Sequence, residues 1–98
     1  GPSINDIELE KVNCDLYRGY ATISDPSGVS WVQFRYKIGG GAWQSVGMSD
    51  IGGGYYESNE IGVSGEGIVN IEYYIVASDT PGNQRESGHT TELVGCLE

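Results

Sequence analysis

Ninety-eight residues, of which 38% are hydrophobic, suffice for one two-layer core and leave no room for an enzyme with a separate lid. Fourteen acidic residues against five basic ones, a net charge of −9, argue against nucleic-acid backbones and anionic membrane surfaces, which need Lys and Arg to displace counterions. No run approaches the ~18 apolar residues of a membrane span; acidity suits solubility, cation binding or basic partners, and solubility is the plainest account.

Gly1-Pro2-Ser3 reads as the remnant of protease cleavage of a fusion, so residues 4–98 are expected to form the single domain and the lack of a leader peptide carries no information. Residues 4–12 set Ile7 and Leu9 at period two between Asp6, Glu8 and Glu10, a half-buried first strand. Residues 17–24 follow, with Tyr17, Gly19, Ala21 and Ile23 on one face and a hole at Gly19 for a large neighbour. Asp25-Pro26-Ser27-Gly28 is a turn. Over 29–38, Val32, Phe34, Tyr36 and Ile38 face one way and Trp31, Gln33, Arg35 and Lys37 the other. Gly39-Gly40-Gly41 closes a hairpin into a strand over 43–48, with Val46 and Met48 inward.

After a loop over 49–54, residues 55–61 form a strand whose poor alternation suggests a bulge, and 62–67 turn the chain. Residues 69–79 are the longest β-branched and aromatic run, apolar on both faces, as suits a central strand paired on both edges. Asp79-Thr80-Pro81-Gly82-Asn83 ends it, and residues 85–94, with Thr90, Thr91 and the anchor Leu93, are the last strand. Seven short strands and no helical period predict an all-β, seven-stranded antiparallel β-sandwich.

Cys14 and Cys96 are too few for a zinc site and lack CxxC spacing. They are either two free thiols or a disulfide. An even count in a small Gly-rich β chain favours the disulfide, which would stabilise the fold by about 4–5 kcal/mol on a chain-entropy basis and place the protein outside the reducing cytosol.

The segments Asp25-Pro26-Ser27-Gly28-Val29, Val32-x-Phe34-x-Tyr36, Trp43 with Met48, Tyr56, and Tyr73-x-Ile75-x-Ala77-x-Asp79 followed by Gly82-Asn83 resemble the immunoglobulin-like or fibronectin type III-like modules of secreted bacterial multidomain proteins, over residues 7–93. Such modules act as spacers, adhesion units or accessory domains beside enzymes. The resemblance implies that Tyr73 packs inward, its hydroxyl bonding backbone near the turn before its strand. The cysteines depart from the antibody pattern, since neither lies on the strands bridged there. The strand order of such a sandwich still brings the turn holding Cys14 and the end of the last strand, with Cys96, to one pole. It sends the loops 25–28, 49–54 and 79–83 to the other.

Those three loops carry Asp25, Asp50, Asp79 and Asn83, oxygen donors of the kind calcium takes. The plainer account is that the aspartates cap their own turns, and no cofactor is otherwise implied. Trp31, Trp43 and Tyr74 are expected on one outer sheet face, where they would stack on sugar rings or anchor a protein. Against that stand an inward Trp43 or rings covered by Arg35 and Lys37. Glu72 is a cross-sheet partner for those two cations, and His89, the only histidine, reads as a solvated surface residue. No Gly-x-Ser-x-Gly elbow, phosphate loop or histidine cluster supports catalysis.

The function expected is a non-catalytic extracellular or cell-surface spacer or adhesion module, with neighbouring domains of the same polypeptide as partners. The alternative is a carbohydrate-binding accessory module using Trp31, Trp43 and Tyr74. Charges at Glu8, Glu10, Arg85 and Glu86 on the edge strands favour a monomer.

Overall fold

A computed structural model describes residues 1–63 and 67–97 of the chain. Nine antiparallel strands are present among the described residues: β1 (Ser3–Asn13), β2 (Leu16–Ser24), β3 (Val29–Ile38), β4 (Gln44–Asp50), β5 (Tyr55–Ser58), β6 (Ile61–Gly62), β7 (Val69–Asp79), β8 (Gln84–Glu86) and β9 (Thr90–Val94). Each β-rich run found in the sequence is a strand. The fifth and last are each broken in two, at Asn59-Glu60 and at Ser87-Gly88-His89. The turn expected over 62–67 falls largely on 64–66, outside the described residues. Ser3 opens β1 and Pro2, just before it, is buried, while Gly1 and Ser3 are exposed.

The strands run in the order β1-β2-β5-β4-β3-β7-β8, with β6 on β2 and β9 on β7. Two separate layers would leave β4 and β5 unpaired. Instead Met48, Ser49 and Asp50 pair with Ser58, Glu57 and Tyr56, so hydrogen bonding runs from one layer into the next. The result is one antiparallel sheet curled into a half-barrel. β7 holds the place its apolar composition requires, between β3 on one edge and β8 and β9 on the other.

The concave side is the core. Period-two alternation puts Tyr17, Ala21 and Ile23 of β2, Val32, Phe34 and Tyr36 of β3, and Ile71, Tyr73, Ile75 and Ala77 of β7 inside. Gly19 is the contact across the curl: a Cβ there would lie 2.3 Å from Phe34 Cδ2, so the hole at Gly19 is filled by the Phe34 ring. That ring also stacks on Tyr73, centroids 5.1 Å apart.

Tyr73 differs from expectation. Its hydroxyl donates to the Glu92 carboxylate rather than to turn backbone. Glu92 sits opposite Ile71, on the inward parity of edge strand β9, and so offers a charged acceptor within the layer. Burial, followed by Glu92, pushes the Tyr73 hydroxyl pKa up.

Cys14, in the β1–β2 turn, and Cys96, beyond β9, form a disulfide with Cα atoms 5.4 Å apart. Beside it the Gly95 N–H donates to the Tyr17 hydroxyl at 2.9 Å. At the opposite pole Thr80 N–H donates to Gly28 O at 3.0 Å and Ile23 N–H to Gly54 O at 2.9 Å, which gathers the three loops expected there. No helix among the described residues is long and apolar enough to cross a membrane.

Candidate functional site

The outer face of β4, β3 and β7 carries the site. Arg35 on β3 pairs with Tyr74 of β7 on one side and Ser45 of β4 on the other. All three point away from the core, by the same alternation that sends Phe34 and Tyr73 inward. Trp43 immediately precedes β4, at the end of the glycine hairpin, and meets Tyr74 edge-on with centroids 5.3 Å apart. Gln33, Arg35, Trp43, Gln44, Ser45 and Tyr74 line an open groove of about 390 Å³.

A bulge completes the aromatic cluster. Ile75 exchanges hydrogen bonds with Ser87, whose N–H donates to Ile75 O and whose Oγ accepts from Ile75 N–H, each at 2.8 Å. Tyr73 pairs with Thr90. Two steps on β7 therefore face three on the partner strand, and Gly88 with His89 together oppose Tyr74. An extra residue of this kind re-aims side chains. Here it lays the His89 ring on Tyr74, centroids 4.2 Å apart and planes 5° apart. His89 is exposed, as expected, but it is built into the surface rather than simply solvated.

Glu72 holds the rim together. One carboxylate oxygen lies 2.8 Å from His89 Nδ1 and the other 3.7 Å from Lys37 Nζ. The hydrogen bond from His89, then Lys37, draw its pKa below the usual glutamate value. Lys37 Nζ in turn lies 5.2 Å from the Trp43 ring centroid. Of the two cations set beside Glu72 by the sequence, only Lys37 pairs with it. Arg35 Nε and Nη2 both donate to Gln33 Oε1, at 3.3 and 3.1 Å.

The three aromatic residues singled out from the sequence do not form one cluster. Trp43 and Tyr74 meet, and Trp43 stays outside with 43% of its surface exposed. Trp31 shares the outward parity but stands four residues from Arg35 along β3, about 13 Å away, outside the groove lining. His89 was missed because its place depends on the bulge. The available signal was the Ser-Gly pair at 87–88 inside a strand-like run.

The loop aspartates each hold their own turn. Asp25 Oδ2 accepts from Ser27 N–H at 2.8 Å. Asp50 Oδ1 accepts from Gly52 and Gly54 N–H. Asp79 accepts from the backbone and side-chain N–H groups of Asn83. Among the described residues no three His, Cys, Asp or Glu side chains converge as a metal site.

No protein-family model matches the sequence, and no curated protein matches it. Among solved structures the chain is similar to a carbohydrate-binding module family 56 β-1,3-glucan-binding domain, with a TM-score of 0.58 and 21% identity over 89% of this chain and 98% of that one. At that identity the likeness concerns the fold.

Proposed function

We propose that this chain is a non-catalytic carbohydrate-binding module, exposed outside the reducing cytosol, that holds a polysaccharide in the groove between Trp43 and Tyr74. The observation that carries the reading is the groove itself. An open concavity is bounded by aromatic rings and lined by amide, hydroxyl and guanidinium groups, the mixture that sugar faces and hydroxyls require. The β-1,3-glucan-binding domain of similar fold supports glycan binding over a purely spacer or adhesive duty. The disulfide supports the extracellular setting. The strand path, with β1-β2-β5 on one side and β4-β3-β7-β9 on the other, supports an immunoglobulin-like or fibronectin III-like description of the sheet.

Sedimentation with insoluble polysaccharides tests the reading, with β-1,3-glucan, cellulose and chitin as first ligands. The protein is expected in the pellet with at least one of them, and Trp43→Ala is expected to remain in solution. Retention unchanged in Trp43→Ala, or no retention by any glycan, refutes the groove and leaves the spacer role.

A further inference from the structure

We propose that the groove selects a polysaccharide bearing sugar carboxylates, and that Arg35 is the residue that recognises them. This rests on the carbohydrate-binding reading and narrows it to a ligand class, a uronic acid unit. Five of the six lining side chains are uncharged, and the sixth is the guanidinium of Arg35. Among the described residues no carboxylate lies within ion-pair distance of it; the ion pairs present involve Arg18, Lys37 and His89. Glu72, the carboxylate beside the cluster, is already engaged by Lys37 and His89. A chain of net charge −9 with only five basic residues thus keeps an unneutralised cation at the centre of its groove.

The fork geometry adds to the charge. A guanidinium has five N–H donors. Gln33 Oε1 takes one from Nε and one from Nη2. That leaves three, both N–H groups of Nη1 and the second of Nη2, and one from each nitrogen forms the end-on pair that matches the two oxygens of a carboxylate. Gln33 also holds the guanidinium plane in place, so little side-chain freedom remains to be lost on binding. Tyr74 is the direct cross-strand neighbour of Arg35, and such neighbours have Cβ atoms about 5 Å apart. A sugar ring stacked on the aromatic cluster therefore brings a carboxylate on its C5 within reach of that free edge. A neutral sugar would leave the fork facing hydroxyl groups, for which it is the weaker match.

The test is calorimetric titration of the whole chain with soluble polygalacturonate, a soluble neutral β-1,3-glucan and a sulfated glucan, at ~150 mM salt, where charges farther than about 8 Å are screened. The uronate is expected to bind at least ~10-fold more tightly than either glucan. Arg35→Gln is expected to lose about tenfold or more of the uronate affinity and with it the preference, as removal of a bidentate charged contact does. Arg85→Gln on β8 makes the same charge change outside the groove and is expected to stay within about twofold. Circular dichroism confirms that both variants are folded. Neutral glucan bound as tightly as uronate, or a preference that survives in Arg35→Gln, overturns the proposal and leaves the carbohydrate reading intact. Sulfated glucan bound equally well and lost equally in Arg35→Gln means a general anion site and overturns the carboxylate assignment. Binding of none of the three overturns the proposal, and retention on cellulose or chitin in the sedimentation assay then decides whether the carbohydrate reading survives it.

Discussion

Both outer faces of the curled sheet carry a cluster of aromatic rings, and the two are wired differently. On the face of β1, β2 and β5, Tyr20 and Tyr55 stack with centroids 5.6 Å apart and planes 15° apart. The Tyr20 hydroxyl donates to Glu57 at 2.7 Å, and Arg18 is shared by Glu57 and Glu60 at 3.4 and 3.3 Å. That hydrogen bond to Glu57, followed by burial, raises the Tyr20 pKa. The carboxylates, the Tyr20 hydroxyl and the two Arg18 Nη groups there are matched with one another, while the buried Arg18 Nε is left without a partner. On the face of β4, β3 and β7, Trp43, Tyr74 and His89 instead border a groove whose cation has donors to spare. Exposed rings by themselves do not make a binding site. On the second face the rings border a groove whose guanidinium has no carboxylate partner among the described residues, whereas Arg18 on the first is paired with two.

The two faces are sides of one clasped unit, and breaking the clasp is expected to have the largest effect. The Cys14–Cys96 bridge ties the β1–β2 turn to the end of β9 across 82 positions of sequence. Reduction is expected to lower unfolding free energy by about 4–5 kcal/mol, measured as the shift in denaturant midpoint at constant slope. A shift under ~1 kcal/mol would mean that the core alone holds the two halves together.

The core contact between the faces comes next. In Gly19→Ala the new methyl meets the Phe34 ring, and the overpacking is expected to cost about 1–3 kcal/mol. An unchanged melting temperature would show that Phe34 can move aside. Binding separates the faces directly. Trp43→Ala is expected to weaken polysaccharide binding about tenfold, roughly 1.4 kcal/mol, whereas Tyr55→Ala on the other face stays within about twofold. Equal losses would erase the distinction.

The smallest effect concerns pH. Glu72 has a pKa held below its ordinary value of 4.5, first by the hydrogen bond from His89 and then by Lys37. A carboxylate depressed in the fold contributes stability above its unfolded pKa and loses that contribution as pH falls through the folded one. Glu72→Gln should therefore flatten part of the drop in melting temperature on acidification below pH 4.5, with no change at higher acid-independent pH values beyond the lost ion pairs. An identical acid profile in variant and parent would remove Glu72 from the rim.

Much of this was legible in the chain. The alternation Tyr17, Gly19, Ala21, Ile23 is the buried side of β2, and the hole at Gly19 is where Phe34 packs. The outward parity of Arg35 and Tyr74 was legible too, because a period of two leaves no choice of face once the inner residues are known. The pairing of β4 with β5 was not, since nothing in either segment names its partner. Nor was the bulge at Gly88-His89, which depends on Ser87 replacing a ladder contact to Ile75. Grouping Trp31 with Trp43 and Tyr74 failed for a related reason: sharing a face says nothing about distance along the strand.

By itself, then, the sequence determined the strands, their faces and most inner residues, because these follow from local periodicity and composition. It favoured a disulfide without fixing it, and it named Leu93 as the anchor of the last strand where Val94 is the buried residue and Leu93 is exposed. Only the tertiary structure decided that the sheet is continuous and curled, that His89 stacks on Tyr74, and that Arg35 lies in the groove without a carboxylate partner. Those outcomes depend on register between segments far apart in the chain, where a one-residue offset in a strand pairing changes which side chains meet.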